Sequence, residues 1–152
     1  MRIDEFAKQL SHKLHAGQMR KDRVTPYTVH TDYVGDNVHN FYYELPSVVS
    51  SMDTARAVGY LHDSIEDCNI TPQQLLECGI YLYRDEWVLL VDYVVVMSRA
   101  DKNIPVLDYL KRIKASKITT AVKLADLEHN LSDLGPGNLR DKYHLCKYFL
   151  EN

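Results

Sequence analysis

The chain has 152 residues, of which 45% are hydrophobic and 26% charged, and its formal net charge is −3. Those figures fit one folded core and argue against disorder, and they supply no basic field that would draw the chain to nucleic acid or a membrane surface. The cysteines Cys68, Cys78 and Cys146 are odd in number and show no C-x-x-C spacing, which argues against a disulfide framework or thiolate zinc site and suits a reducing cytoplasm.

At the N-terminus, Ile3, Phe6, Ala7, Leu10 and Leu14 recur at three- and four-residue steps and predict an amphipathic helix. The acidic start, Met1-Arg2-Ile3-Asp4-Glu5, lacks the basic and then apolar character of a signal peptide. From His15 to about Asp36 the pattern breaks at Gly17, Thr25-Pro26 and Gly35, and the stretch reads mainly as loop. Asp36 to Ser51, rich in Asn, Ser and aromatic residues and carrying Pro46, gives no assignment. A helix is predicted from Ser51–Asp53 through Ala55, Val58, Gly59, Leu61 and His62 to about Ile65.

Thr71 as N-cap, Pro72 in the first helical position and Gln74 completing a capping box mark the clearest helix start, with Gly79 as its expected stop. Asp85 to Ser98 places Trp87, Leu90, Val91, Val94 and Val95 at helical intervals, although its β-branched residues leave strand as an alternative. Three more helices are predicted: Ile104 or Pro105 to Lys114, Lys117 to about Leu134, and Leu139 to Leu150. Gly135-Pro136-Gly137 separates the last two. No apolar run is long enough to span a bilayer, and no repeat divides the chain. The expectation is a single all-α domain over residues 1–152, a bundle of roughly six to eight helices.

Chemistry concentrates in His62-Asp63-Ser64-Ile65-Glu66-Asp67 and, some sixty residues on, in Lys123-Leu124-Ala125-Asp126. On one helix His62 and Asp63 would flank an edge while Glu66 and Asp67 follow one turn later, a crowd of like charges unless a cation compensates them. A second helix can supply Asp126. A fourth ligand is best sought among the loop histidines, and His30 is favoured because Pro26-Tyr27-Thr28-Val29 would hold its backbone extended. Two imidazoles and two carboxylates suit Mn²⁺, Fe²⁺ or Zn²⁺, with Mn²⁺ preferred by the hard ligands. Read without further context, Arg20, Lys21 and Arg23 are a solvated loop, His15 and His129 structural hydrogen-bonding residues, and Tyr27 packing. Arg140, Lys142 and Tyr143 read as an exposed face of the last helix, within possible reach of substrate phosphates across the bundle.

Four segments in this order carry a resemblance. They are His15-Ala16-Gly17-Gln18-Met19-Arg20-Lys21, Thr25-Pro26-Tyr27-Thr28-Val29-His30, Leu61-His62-Asp63-Ser64-Ile65-Glu66-Asp67, and Val122-Lys123-Leu124-Ala125-Asp126 with His129-Asn130. Together they resemble the HD-domain metal phosphohydrolases, and most of all the hydrolase domain of RelA/SpoT-type alarmone enzymes. The resemblance implies an all-helical HD bundle with one Mn²⁺ on His30, His62, Asp63 and Asp126. It further implies that Glu66 and Asp67 handle the catalytic water and its proton. Arg20 and Lys21 would grip the substrate's base and phosphates, and Asn130 would contact the nucleoside; apart from the resemblance, the alternative to packing for Tyr27 is stacking on a base. The implied reaction removes pyrophosphate from the 3′ position of guanosine tetra- or pentaphosphate (ppGpp or pppGpp) in a small stand-alone cytoplasmic hydrolase.

The chain departs from that pattern around the nucleotide. Asp126-Leu127-Glu128-His129-Asn130 stands where the family usually reads Asp-Arg-Leu-His-Asn, and Asp133 stands where it often has Thr. Thr31 replaces the customary Pro, and the Arg20–Tyr27 loop lacks its usual Gly. Two alternatives therefore stay open. One is a nucleotidase or phosphatase acting on an adenine alarmone, a dinucleotide phosphate such as NADPH, or a nucleoside monophosphate; the other is a non-enzymatic module that binds a nucleotide or a partner protein.

Overall fold

Ala55, Ala57, Val58 and Leu61 have no solvent exposure, which makes their helix the axis around which the others pack. The computed structural model describes residues 1–42, 49–99 and 101–152, with the backbone alone for 49–51, and its regular elements are helical. In chain order they are α1 (Ile3–Leu14), α2 (Thr28–Asn37) with a 3-10 turn at Val38–Asn40, α3 (Val49–Leu61) and the short α4 (Ser64–Asp67). There follow α5 (Pro72–Tyr83), α6 (Asp85–Met97), α7 (Val106–Lys114), α8 (Lys117–Ser132) and α9 (Asn138–Glu151). Helix α3 packs against α1, α2, α6 and α8, and Val34, Val94, Ala121 and Ala125 close the core around it. No helix among the described residues is long and apolar enough to cross a membrane.

Local chemistry explains several boundaries. The Thr71 hydroxyl accepts from the Gln74 N–H at 3.1 Å, and the Gln74 side chain accepts from the Thr71 N–H at 2.9 Å, so the expected capping box opens α5. The Ser116 hydroxyl accepts from the Ile118 N–H at 3.2 Å and starts α8. The crowded valines of α6 are helical because Trp87, Leu90, Val91 and Val94 all bury on one side, and tertiary burial outweighs β-propensity.

Four sequence expectations are corrected. Helix α5 runs past Gly79 to Tyr83 and stops at Arg84, which takes a left-handed φ of 51°. Gly79 serves packing instead: a Cβ there would lie 2.4 Å from the Trp87 ring, whose Nε1 donates to the Leu75 carbonyl at 2.9 Å. Residues 28–37, read as loop, form α2, and His30 is helical rather than extended. Pro26 precedes the N-cap Tyr27, and its carbonyl accepts from the Val29 N–H at 3.1 Å in the turn that leads into the helix. Finally, the helix expected from Ser51–Asp53 to Ile65 begins at Val49 and ends at Leu61. His62 and Asp63 occupy the joint before α4. The unassigned stretch from Asp36 to Ser51 is helical at both ends, and its residues 43–48 lie outside the described part of the chain.

Helices α2 and α3 approach more closely than side chains would allow. A Cβ on Gly59 would lie 2.8 Å from the Gly35 Cα, and one on Gly35 would lie 2.1 Å from the Tyr60 ring. This crossing fixes the distance between two segments, one carrying His30 and the other His62. Gly59→Ala is expected to cost about 1–3 kcal/mol through overpacking and to weaken divalent-cation binding. Denaturant unfolding and a metal titration on the same preparation check both effects.

Candidate metal centre

Three buried side chains from separate helical segments meet with their donor atoms facing one another. His30 comes from the first turn of α2, His62 from the joint after α3 and Asp126 from the middle of α8; they are 1%, 2% and 5% exposed. Their donor atoms all lie within 4.8 Å of one another. Nε2 of His30 is 3.0 Å from Asp126 Oδ1, and Nε2 of His62 is 3.5 Å from the same oxygen. Asp63 adjoins the triad through Oδ2, at 3.0 Å from His62 Nε2 and 3.5 Å from His30 Nε2.

These separations fit a shared cation. Donors bound at about 2.1 Å stand about 3.0 Å apart when octahedral and about 3.4 Å apart when tetrahedral. His62 Nε2 is also a buried nitrogen with no hydrogen-bond partner, although Asp63 Oδ2 lies at 3.0 Å, because the carboxylate is not aligned with the ring. An orphaned buried nitrogen is costly. A metal ion bound by its lone pair removes that cost. The residues present therefore fit a divalent cation, with nitrogen and oxygen donors and no thiolate.

Tautomers agree with that role. His62 Nδ1 lies 2.7 Å from the Gly59 carbonyl, which only accepts, so the proton sits on Nδ1 and the Nε2 lone pair is free to coordinate. His30 Nδ1 lies 2.7 Å from His129 Nδ1, and the two rings stack at 5.0 Å. Burial, with the charges of His30 and Arg20, pushes His129 down to about 4, so it is a neutral acceptor for the His30 Nδ1 proton. Tyr33 stacks on the other side of His129 at 4.4 Å. The sequence reading of His129 as a structural hydrogen-bonding residue describes this arrangement, but its partner, His30, was not legible.

Carboxylate orientation is equally controlled. Asp126 accepts from Lys123 Nζ at 2.8 Å and from Asn130 Nδ2 at 2.9 Å, both on its own helix. Asp63 Oδ2 accepts from the Tyr27 hydroxyl at 2.6 Å, while the Tyr27 ring stacks on His15 at 5.0 Å. Burial pushes the Asp63 and Asp126 carboxyls up. The charge of His62 on Asp63, and of Lys123 on Asp126, outweighs it and holds both below the usual carboxylate range. Burial likewise opposes charge on His30 and His62, yet Asp126 and Asp63 raise both imidazoles. The carboxylates demand positive charge at those nitrogens, and either protons or a divalent cation can supply it.

Glu66 and Asp67 have different neighbours. The Glu66 carboxylate accepts from the Arg99 backbone N–H and from Lys102 Nζ, the latter at 3.4 Å, and it lines a cavity of about 200 Å³ with His62 and Asp63. Asp67 faces the Tyr27 side, where burial and then the charges of Asp63 and Glu66 push its carboxyl up to about 6. Arg99, Lys102, Lys123 and Lys142 also line that cavity, which gives it an excess of cations over Asp63 and Glu66. The Arg99 Nε is buried without a partner.

A second cavity of about 270 Å³ holds Arg20, Lys21, Asn130 and Asp133, with Tyr143 lining both cavities. The Tyr27 hydroxyl is committed to Asp63. Arg140, considered for phosphate contact, instead donates to the Leu131 and Leu134 carbonyls and closes the C-terminal end of α8. Arg99 and Lys102 went unread because no spacing in the sequence ties the loop after α6 to the His-Asp segment.

No protein-family model matches the chain, and no curated protein is similar to it. Because His129 fixes the His30 ring, His129→Ala is expected to weaken divalent-cation affinity about 10- to 100-fold, the scale of lost outer hydrogen bonds to a ligand histidine. Calorimetric titration with Mn²⁺ measures it, and an unchanged affinity removes His129 from the support of the site.

Proposed function

We propose that this chain is a divalent-metal-dependent phosphohydrolase of the HD type, with Mn²⁺ as its metal. We further propose that it removes the 3′-pyrophosphate of guanosine tetra- or pentaphosphate to give GDP or GTP. The observation that carries the reading is the convergence of His30, His62, Asp63 and Asp126, with each Nε2 atom within 3.5 Å of both carboxylates. The resemblance of the surrounding segments to alarmone hydrolases supplies the substrate class.

A divalent ion held there would acidify a water molecule and offset phosphate charge. The chain's own groups account for the rest. Asp67, poised at about 6, is suited to take the water proton and return one to the leaving ribose oxygen. Glu66, pinned by the Arg99 N–H and Lys102, is suited to orient the water at the cavity wall. The new bond forms between water oxygen and the phosphorus on the 3′ oxygen, and the bond from that phosphorus to the 3′ oxygen breaks. Arg99, Lys102 and Lys142 face the space where the departing pyrophosphate charge would sit.

A second reading, the same chemistry on another nucleotide, is favoured by one contact. Arg20, the expected phosphate grip, donates to Asp133 at 3.3 Å and to Asn130 at 3.4 Å. An arginine already paired with a carboxylate is a weaker phosphate ligand.

Chelation is expected to abolish hydrolysis and Mn²⁺ to restore it, while His62→Ala and Asp126→Asn lose both metal uptake and turnover. Product chromatography on a nucleotide panel, run with metal analysis, separates the readings. Wild-type turnover in either variant sinks the ligand assignment. Asp67→Asn is expected to retain the metal yet lower turnover about 100-fold or more, the usual scale of lost proton transfer. Unchanged steady-state kinetics in that variant assign the proton to another group.

A further inference from the structure

Helix α2 delivers a second ring to the metal centre besides His30. Tyr33 follows His30 by three residues, close to one turn later on the same side of the helix. Its ring lies 4.4 Å from the His129 ring, with 21° between the two planes. The His129 plane is in turn 19° from that of His30, and the two Nδ1 atoms are 2.7 Å apart. A hydrogen bond between ring nitrogens holds only while donor and acceptor stay in line. Rotation of His129 about its ring torsion breaks it, and terminal torsions of this kind have broad wells. Among the described residues His30 is the one hydrogen-bond partner of the His129 ring. The flat contact with Tyr33 is what limits the rotation. The Tyr33 hydroxyl has a separate neighbour: burial, and then the charge of Glu128, push the phenol up.

We infer that Tyr33 is a positioning residue for the metal ligand His30, acting through His129. Its ring clamps the His129 imidazole in the plane that accepts the His30 Nδ1 proton, and so keeps His30 Nε2 turned to the cation. Helix α2 thereby supplies both a ligand and the brace for that ligand's partner. Helix α8 supplies Asp126 and, three residues on, His129. The brace ties the two helices together at the level where their ligands meet. A single aromatic contact is a modest interaction, so it tunes cation affinity and does not decide whether the bundle folds. The inference rests on the proposed metal reading for what His30 holds, and on no substrate.

Mn²⁺ is titrated calorimetrically into wild type, Tyr33→Leu, Tyr33→Phe, His129→Ala and the Tyr33→Leu/His129→Ala double variant. Tyr33→Leu should weaken Mn²⁺ about 3- to 10-fold, the scale of one aromatic contact. Tyr33→Phe, which keeps the ring and drops the hydroxyl beside Glu128, should match wild type. In the His129→Ala background Tyr33→Leu should add no further loss, because the residue it acts through is gone. General damage to the bundle would add in both backgrounds. A second readout needs no metal. In the metal-free wild type the proton between the two Nδ1 atoms should give a slowly exchanging downfield resonance, kept in Tyr33→Phe and lost in Tyr33→Leu. Should Tyr33→Leu not fold, Tyr33→Met fills similar space without a ring and takes its place. Wild-type affinity in Tyr33→Leu, equal losses in the Leu and Phe variants, or an additive double variant overturns the assignment. So does a resonance absent from wild type or unchanged in Tyr33→Leu. A wild type that takes up no Mn²⁺ would instead overturn the metal reading, and the proton resonance would still judge Tyr33.

Discussion

Ionisable groups buried at the centre of an apolar bundle impose the main constraint on this molecule. His30, His62 and Asp126 are almost completely enclosed, with Asp63 beside them. Such groups destabilise a fold unless every charge and lone pair finds a counterpart. Most of the polar architecture nearby answers that demand. Lys123 and Asn130 take Asp126, Tyr27 takes Asp63, Gly59 takes one side of His62 and His129 takes one side of His30. What these partners leave unanswered are the inward Nε2 positions, which is where a cation's coordination bonds would be made.

The backbone makes the convergence possible. The Gly35–Gly59 approach sets α2 against α3 at a distance that brings His30 and His62 to a ring separation of 5.3 Å. The end of α3 at Leu61 then matters as much as the helix. In a continuous helix His62 and Asp63 would diverge by about 100°. At the joint before α4 both instead turn toward the same point, with Asp63 Oδ2 3.0 Å from His62 Nε2. Helix α4 then sends Glu66 to the cationic loop after α6 and Asp67 to the Tyr27 side.

Much of this was legible in the sequence because it is local. Amphipathic spacing located α1 and α6 to α9, and Thr71-Pro72-Gln74 located the start of α5, since both signals depend on neighbours within a few residues. Helix α2 was not legible. Its apolar periodicity is poor, and it is held by burial of Val34 and Gly35 against α3 rather than by its own pattern. Gly79 misled for a related reason: a glycine that admits the Trp87 ring looks, in one dimension, like a helix stop. At the site, residue types and order pointed to His62, Asp63 and Asp126. The companionship of Arg99, Lys102 and Lys142 exists only in three dimensions. The pairing of Arg20 with Asp133, 113 positions apart, is likewise a product of folding, though the acidic side chain itself was visible as a departure.

Lys123 carries one more consequence. Burial lowers its affinity for a proton, but the neighbouring Asp126 outweighs that and keeps the ammonium charged, 2.8 Å from the carboxylate. An ion's departure would therefore leave Asp126 with a permanent internal counterion, and the imidazoles could make up the difference by protonation. Were the proposed ion to leave, the Lys123–Asp126 pair would keep part of the core's charge matched.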